Sequence, residues 1–294
     1  MITTSSSIQK NPAVILRNAV NTIVSNPIIL FPLSVTAFIQ ILCLEVIFFA
    51  PRQPLSHFFA PLIRYFNGEI YLHYPQNFAL LNEWYHSYLL QYTLYIFVQT
   101  FLLAMMINIL YRLNNDQKIR MKNIFQQTLS LYLNIILAAL LTVIVLHSLM
   151  TLYGVVVKRA LIIRSTSGIF YIMKRIVLDG SPYFQILLAG FVTTIFSFLI
   201  PIIVIERKNI LSAIMQNFKN LFQSFWVVLG IILLPLFLYF PILLLRSNSH
   251  WWSGALPPEA HGIFIIISIF VLLAIDAIQY TAITSYYLLK KENS

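Results

Sequence analysis

Acidic charge is scarce in this chain: nine Asp and Glu stand among 294 residues, against nineteen Lys and Arg. Charged residues of both signs reach only 10%, where a soluble domain carries roughly 25%. The single cysteine, Cys43, lies within an apolar run, which excludes a disulfide framework and a thiolate metal cluster. Glycine occurs only 8 times and never as GxxxG, so close glycine-mediated helix crossings are not the packing mode. GxSxG, Walker A, GxGxxG, CxxC, HExxH and the paired acidic motif of lipid phosphotransfer are all missing. These absences lead us to expect no enzymatic activity, no cofactor and no metal.

What fills the chain instead is apolar: 59% hydrophobic residues, 23 of them Phe, and a mean hydropathy of +0.82. Six runs, about 27–49, 87–111, 131–155, 183–205, 225–246 and 262–289, approach or exceed the roughly 20 residues that cross about 30 Å of hydrocarbon as helix. Lipid offers no partner to an open sheet edge, so helices are expected. The first run follows a polar opening, MITTSSSIQKNP, and is too long and too late for a cleaved secretory segment. The expectation is one integral membrane domain over 1–294 with six transmembrane helices.

The loop 112–122 carries Arg112, Lys118, Arg120 and Lys122, and the chain ends LLKKENS. Placing both in the cytoplasm follows the positive-inside rule and puts both termini there. Eleven Lys and Arg then fall inside and eight outside, five of the eight within 157–175, a segment expected to lie along the outer interface. Cations at span ends rather than along a soluble face suggest anionic lipid headgroups as partners and argue against nucleic acid.

Between the fourth and fifth runs stands ERKNILSAIMQNFKNLFQSF, 206–225. On a helix, Ile210, Leu211, Ile214, Phe218, Leu221, Phe222 and Phe225 form one apolar stripe, and Lys208, Ser212, Gln216, Lys219, Asn220 and Gln223 lie opposite. Such a helix is expected in the headgroup plane, anchored by Glu206, Arg207, Lys208, Lys219, Phe218, Phe222, Phe225 and Trp226. The same pattern precedes the first run at RNAVNTIVSNP and the third at FQQTLSLYLNI, with offsets of 108 and 90 residues. An all-α protein of three hairpins follows, units of about 8–112, 113–206 and 207–294, each led by a cytoplasmic interfacial amphipathic helix.

Phe198 to Leu236 resembles the hallmark segment of bacterial six-span families related to the glycerophosphodiester phosphodiesterase membrane domain and the YciC-like inner-membrane proteins. There a proline and a glutamate close the fourth span, an amphipathic helix follows, and an aromatic opens the fifth. Pro201, Glu206, Ala213 and Phe225-Trp226 stand at those places, with Asn217 at the helix position that usually holds Ser. The resemblance implies a bacterial inner-membrane protein and carries no catalytic residue with it.

Asp276 falls near the middle of the sixth run, where an ionised carboxylate costs a few kcal/mol or more. With Gln279 and Tyr280 it is a candidate polar or proton site; the alternative is a neutral acid hydrogen-bonded to another helix, for example at Asn108 or His147. Glu45 is read as snorkelling toward Arg52 or water. Glu206 is read as a cap on the following helix. The loop 50–86 is long and aromatic and is expected to form a compact outer cap; its His57, Glu69, His73, Glu83 and His86 lack metal-ligand spacing. HWW at 250–252 is read as an aromatic-belt element. Pro201, Pro235 and Pro241 are expected to kink the fourth and fifth spans. The leading expectation for function is a non-enzymatic subunit or scaffold that works with other membrane proteins in an envelope or lipid-related process. The alternative is a transporter or lipid-handling channel centred on Asp276.

Overall fold

The computed structural model describes residues 11–162, 168–247 and 259–292. Among the described residues there is no strand, and six helices are long and apolar enough to cross a membrane: Pro27–Phe49, Tyr88–Asn114, Tyr132–Ile162, Ser181–Glu206, Ile210–Leu245 and Gly262–Glu292. The chain is therefore a multi-pass membrane protein, and these are spans one to six below. The aromatic HWW at 250–252 lies outside the described residues. Spans two and four are the most enclosed and span three the least.

Three spans lose regular helix in their interiors, two of them where a proline forces it. A proline has no N–H and its ring collides with the carbonyl four residues earlier. For Pro201 that carbonyl is on Ser197, and span four breaks at 196–198, between helices Ser181–Ile195 and Leu199–Glu206. For Pro241 it is on Phe237, and span five tightens there into the 3-10 turn Phe237–Tyr239. Span two instead widens into a π turn over Tyr95–Gln99, with the Thr100 N–H reaching back to the Tyr95 carbonyl.

The break in span four is mended by a side chain from the helix that follows. Asn217 is fully buried; its Oδ1 accepts from the Phe198 N–H at 3.1 Å and its Nδ2 donates to the Ile195 carbonyl at 2.7 Å. Phe198, also fully buried, stacks on Tyr286 of span six with centroids 6.3 Å apart. One amide therefore satisfies both a donor and an acceptor that the break leaves over.

That helix differs from the expected single apolar stripe. It starts at Ile210 and bends at Ser224, whose φ of −137° is not helical and whose hydroxyl donates to the Asn220 carbonyl at 2.7 Å. Ala213, Asn217, Leu221 and Ser224 face the bundle, while Leu211, Met215, Phe222 and Trp226 are more than 70% exposed. Leu221 thus belongs to the protein-facing side, because small and polar residues let this helix lie close against span four. Phe218 is at the margin of exposure, and Phe225 meets Phe191 edge-on at 6.2 Å.

The helix Pro12–Ser25 buries Ile15, Ala19 and Ile23 and packs across spans five and six. These positions and Ala213, Asn217 and Leu221 differ by the same 198 residues, the sum of the two offsets read in the sequence. The helix Met121–Leu129 buries Ile124 and Thr128, one position out of that register. Its Gln127 accepts from Arg112 Nη2 at 2.9 Å, so it too is tied to the span before it by an amide.

The segment 50–86 folds as helices Ser56–Phe66 and Asn77–Tyr85 around a small core of Ala50, Ile63 and Leu80. Glu83 accepts from Asn67 at 2.7 Å and from Tyr71 at 3.3 Å, and Asn67 accepts from the Trp84 indole at 2.9 Å. Arg52 lies over the Phe48 ring at 4.1 Å, and no ion pair joins it to Glu45 among the described residues. Residues 157–162 belong to the end of span three and 168–175 to a separate helix, Gly168–Asp179, none of whose residues is buried.

Two outcomes follow from these contacts. Asn217→Leu leaves two buried backbone groups unpaired, each costing about 1–3 kcal/mol, so its thermal midpoint in detergent falls by several degrees, well beyond that of a surface control such as Gln223→Leu. In the cap, Arg64 donates to both Glu69 oxygens, at 2.5 and 3.0 Å. This hydrogen-bonded guanidinium lowers the Glu69 pKa from its ordinary value. A depressed folded-state pKa gives stability that is present above the unfolded carboxylate pKa and lost as pH falls through the folded one. The protection factors of amides over 56–72, which remove the intrinsic slowing of exchange in acid, should therefore fall between neutral and strongly acidic pH, less so in Glu69→Gln; both groups are exposed, so the difference is small.

Candidate functional site: a polar cavity at mid-span

Asp276 sits near the midpoint of span six, and Gln279 and Tyr280 follow at helical spacings of three and four. All three line one cavity of about 200 Å³ whose walls come from spans two, four, five and six. Asp276 Oδ2 accepts from Gln99 Nε2 at 2.8 Å. Its partner is therefore Gln99 of span two, not Asn108 or His147. Asn108 donates instead to Gln127 at 3.5 Å, and His147 lies 3.5 Å from the Tyr92 hydroxyl with its ring edge-on to Tyr92.

The π turn explains why Gln99 is in place. Tyr95 and Gln99 are its first and last residues, and both line the cavity. One extra residue in the turn rotates the following helix relative to the preceding one, which is how π turns re-aim side chains at sites. Tyr95 of span two and Tyr280 of span six both line the cavity. Gln279 Nε2 donates to the Ile232 carbonyl at 2.7 Å, one residue from the carbonyl that Pro235 deprives of its N–H. Thr193 and Gly190 of span four complete the wall, Thr193 Oγ1 donating to the Ala189 carbonyl at 2.9 Å. A Cβ added at Gly190 would stand 3.0 Å from Leu233 and Leu236 of span five, so glycine there sets how closely spans four and five approach.

The lining holds one acid and no Lys or Arg among the described residues. With a hydrogen-bonded carboxylate, three phenols and two amides, the cavity suits a proton, a small cation or a solute rich in N–H donors. About 200 Å³ is the share of roughly six or seven waters. Intramembrane acids that face a bundle interior are rare and mark ion, substrate or proton paths.

Of the residues expected to anchor the polar-faced helix, Glu206 has a different role from the one expected. It is the last residue of its own helix, and the cap of the next is Asn209, whose side chain accepts from the Ser212 N–H at 3.1 Å. The turn between them passes through Arg207 in the left-handed region, φ 52°, and the Glu206 carboxylate meets both the following helix and span six. There the carboxylate pairs with Lys208 at 2.8 Å and Lys291 at 3.6 Å and accepts from Gln216 at 3.0 Å and from the Tyr287 hydroxyl. Glu206 thus joins span four, the polar-faced helix and the end of span six. Among the described residues no group of three or more His, Cys, Asp and Glu could hold a metal ion.

Sequence reasoning passed over Gln99, Tyr95 and Thr193. The signal that could have found the first two is their spacing of four on a span otherwise apolar at that depth.

Compared with known proteins, the chain matches no family model, no curated protein and no solved structure. Its function is therefore argued from the site.

The cavity makes an accessible test of whether water reaches it. With Cys43→Ala as background, a cysteine placed by Thr193→Cys should react with a small charged methanethiosulfonate, while Val192→Cys, 1% exposed on the other side of the same turn, should not. Equal protection of both by mass spectrometry would mean a dry cavity.

Proposed function

We propose that this protein moves a small cation, a proton or a donor-rich polar solute across a membrane, with Asp276 as the group that binds it. The observation that carries the reading is the position of that carboxylate. It lies at mid-span on a cavity walled by four spans, three of which lose regular helix in their interiors. Irregular backbone at membrane depth is tolerated only where protein covers it or it lines an aqueous space. Discontinuous helices meeting at the midplane are also how many transporters build a site and supply the hinges for alternating access.

In this reading Asp276 binds the cation or proton, Gln99 orients the carboxylate, and Tyr95, Tyr280 and Gln279 offer exchangeable hydroxyl and amide partners. The short turns at 196–198 and 237–239 let the halves of spans four and five move about the site. The likeness of 198–236 to bacterial inner-membrane families and the distribution of Lys and Arg support a bacterial plasma-membrane location with both termini in the cytoplasm.

The reading of the protein as a subunit or scaffold has support of its own in the cap. Phe58, Tyr65, Phe66, Ile70 and Tyr74 are each more than 55% exposed there, a concentration of aromatic surface suited to a partner. The two readings separate experimentally. In proteoliposomes, Asp276→Asn should abolish solute-dependent proton or cation flux, by tenfold or more, while leaving expression and thermal midpoint within a few degrees of wild type. If flux survives Asp276→Asn while replacement of 56–72 removes a co-purifying protein in native mass spectrometry, the subunit reading stands and transport falls.

A further inference from the structure

A second and larger recess lies at the end of the bundle where spans four and six finish, far from Asp276 along span six. Its volume is about 800 Å³, and it opens between the polar face of the helix that starts at Ile210 and the last turns of span six. Lys208 and Lys219 enter from one wall and Lys290 and Lys291 from the other, against the one carboxylate of Glu206. Four cations and one anion leave an excess of three positive charges in one recess.

The polar groups are arranged around that excess. Glu206 holds Lys208 at 2.8 Å and Lys291 at 3.6 Å, with Gln216 and Tyr287 donating to it, so the carboxylate forms a braced corner of the recess rather than neutralising it. Lys290 Nζ donates to the Asn220 carbonyl at 3.0 Å, which ties the two walls together and fixes one ammonium in place. Lys219 is exposed on the polar face of its helix. Gln216, Asn220 and Gln223 supply amides among the lysines.

The surroundings are amphiphilic. On the same helix, outside the recess or at its edge, Met215, Phe222 and Trp226 are 76%, 86% and 78% exposed. Exposed apolar side chains beside a lysine recess are the composition that receives a phosphate headgroup with its acyl chains alongside. A transport cavity has no use for this arrangement, and the inference stands apart from the reading of Asp276.

We propose that the recess binds a phosphate group, the charged part of an anionic phospholipid headgroup or a soluble phosphate ester. Binding there would clamp the polar-faced helix to the end of span six through Lys219 on one wall and Lys291 on the other. The structure thus offers a ligand site that joins the two elements on either side of the recess.

The test uses the full-length protein in mild detergent, titrated with phosphatidylglycerol or phosphatidylcholine and read by native mass spectrometry. Phosphatidylglycerol should be retained more tightly, and Lys219→Gln with Lys291→Gln should weaken it about fivefold per lysine removed. Lys219→Gln alone keeps the Glu206 pairs intact and should still show its own fivefold share, so a folding defect in the double variant does not decide the matter. Lys118→Gln with Arg120→Gln removes two charges elsewhere on the same end of the bundle and should leave retention unchanged. In a parallel arm, inorganic phosphate without lipid is tested for thermal protection of the wild type. Protection that vanishes in the lysine variants assigns the site to soluble phosphate; lipid retention without it assigns the site to a headgroup. The proposal is overturned if both lipids are held equally and phosphate does not protect, or if the control pair weakens retention as much as the recess pair.

Discussion

Hydrocarbon supplies no hydrogen bonds, so every amide that leaves the helical ladder inside the membrane must find a partner within the protein. This chain leaves the ladder in three spans and answers each departure differently. In span four, Asn217 provides both the acceptor and the donor that the break requires. In span two the π turn keeps its own bonds by lengthening them by one residue, and the Thr100 hydroxyl donates to the Ile96 carbonyl at 2.8 Å. In span five the 3-10 turn retains a shorter ladder, and Gln279 reaches across from span six to the Ile232 carbonyl. Spans that share their polar repairs are also spans held at fixed distance and rotation, and this produces a cavity with defined walls.

Span six is the element to which the others are referred. Its middle supplies Asp276, Gln279 and Tyr280; about two turns further, Tyr286 and Tyr287 pack against Phe198 at the break in span four; its end meets Glu206 and Asn220. The helix Pro12–Ser25 lies along it as well, and Pro12 comes so close to span five that a Cβ on Gly230 would stand 2.7 Å from its ring. The polar contacts of Glu206 with Tyr287 and Lys291, and the packing of Phe198 on Tyr286 and Tyr287, tie the end of span four to span six.

Much of this was legible in the sequence because the responsible forces are local. Apolar runs of membrane length located all six spans, and the prolines at 201 and 241 marked breaks four residues upstream by a steric rule that needs no tertiary knowledge. Asp276, Gln279 and Tyr280 were readable as one face from their spacing alone. Gln99 was not, because hydropathy weighs lipid and protein interior alike and says nothing about which side of a span looks inward. Asn217 was counted on neither face of its helix for the same reason: its burial depends on a gap in span four that only the packed structure reveals. Glu206 was misassigned as a cap because Arg207 takes a left-handed conformation that residue type alone does not announce. The compact fold of 50–86, by contrast, followed directly from its density of aromatics.

The bond between Gln99 and Asp276 joins residues 177 positions apart, and ribosomes work in one direction. Gln99 lies in span two and enters the membrane before the acid it will receive is made, and that acid arrives with span six. The donor therefore waits through the insertion of three further spans, and the costly carboxylate is never without a prepared partner once span six enters the bundle. A truncated chain lacking that helix has a row of vacant polar groups, Gln99 and Tyr95 among them, turned toward the place it should occupy. Arrival of span six and closure of the polar interior are, in this protein, the same event.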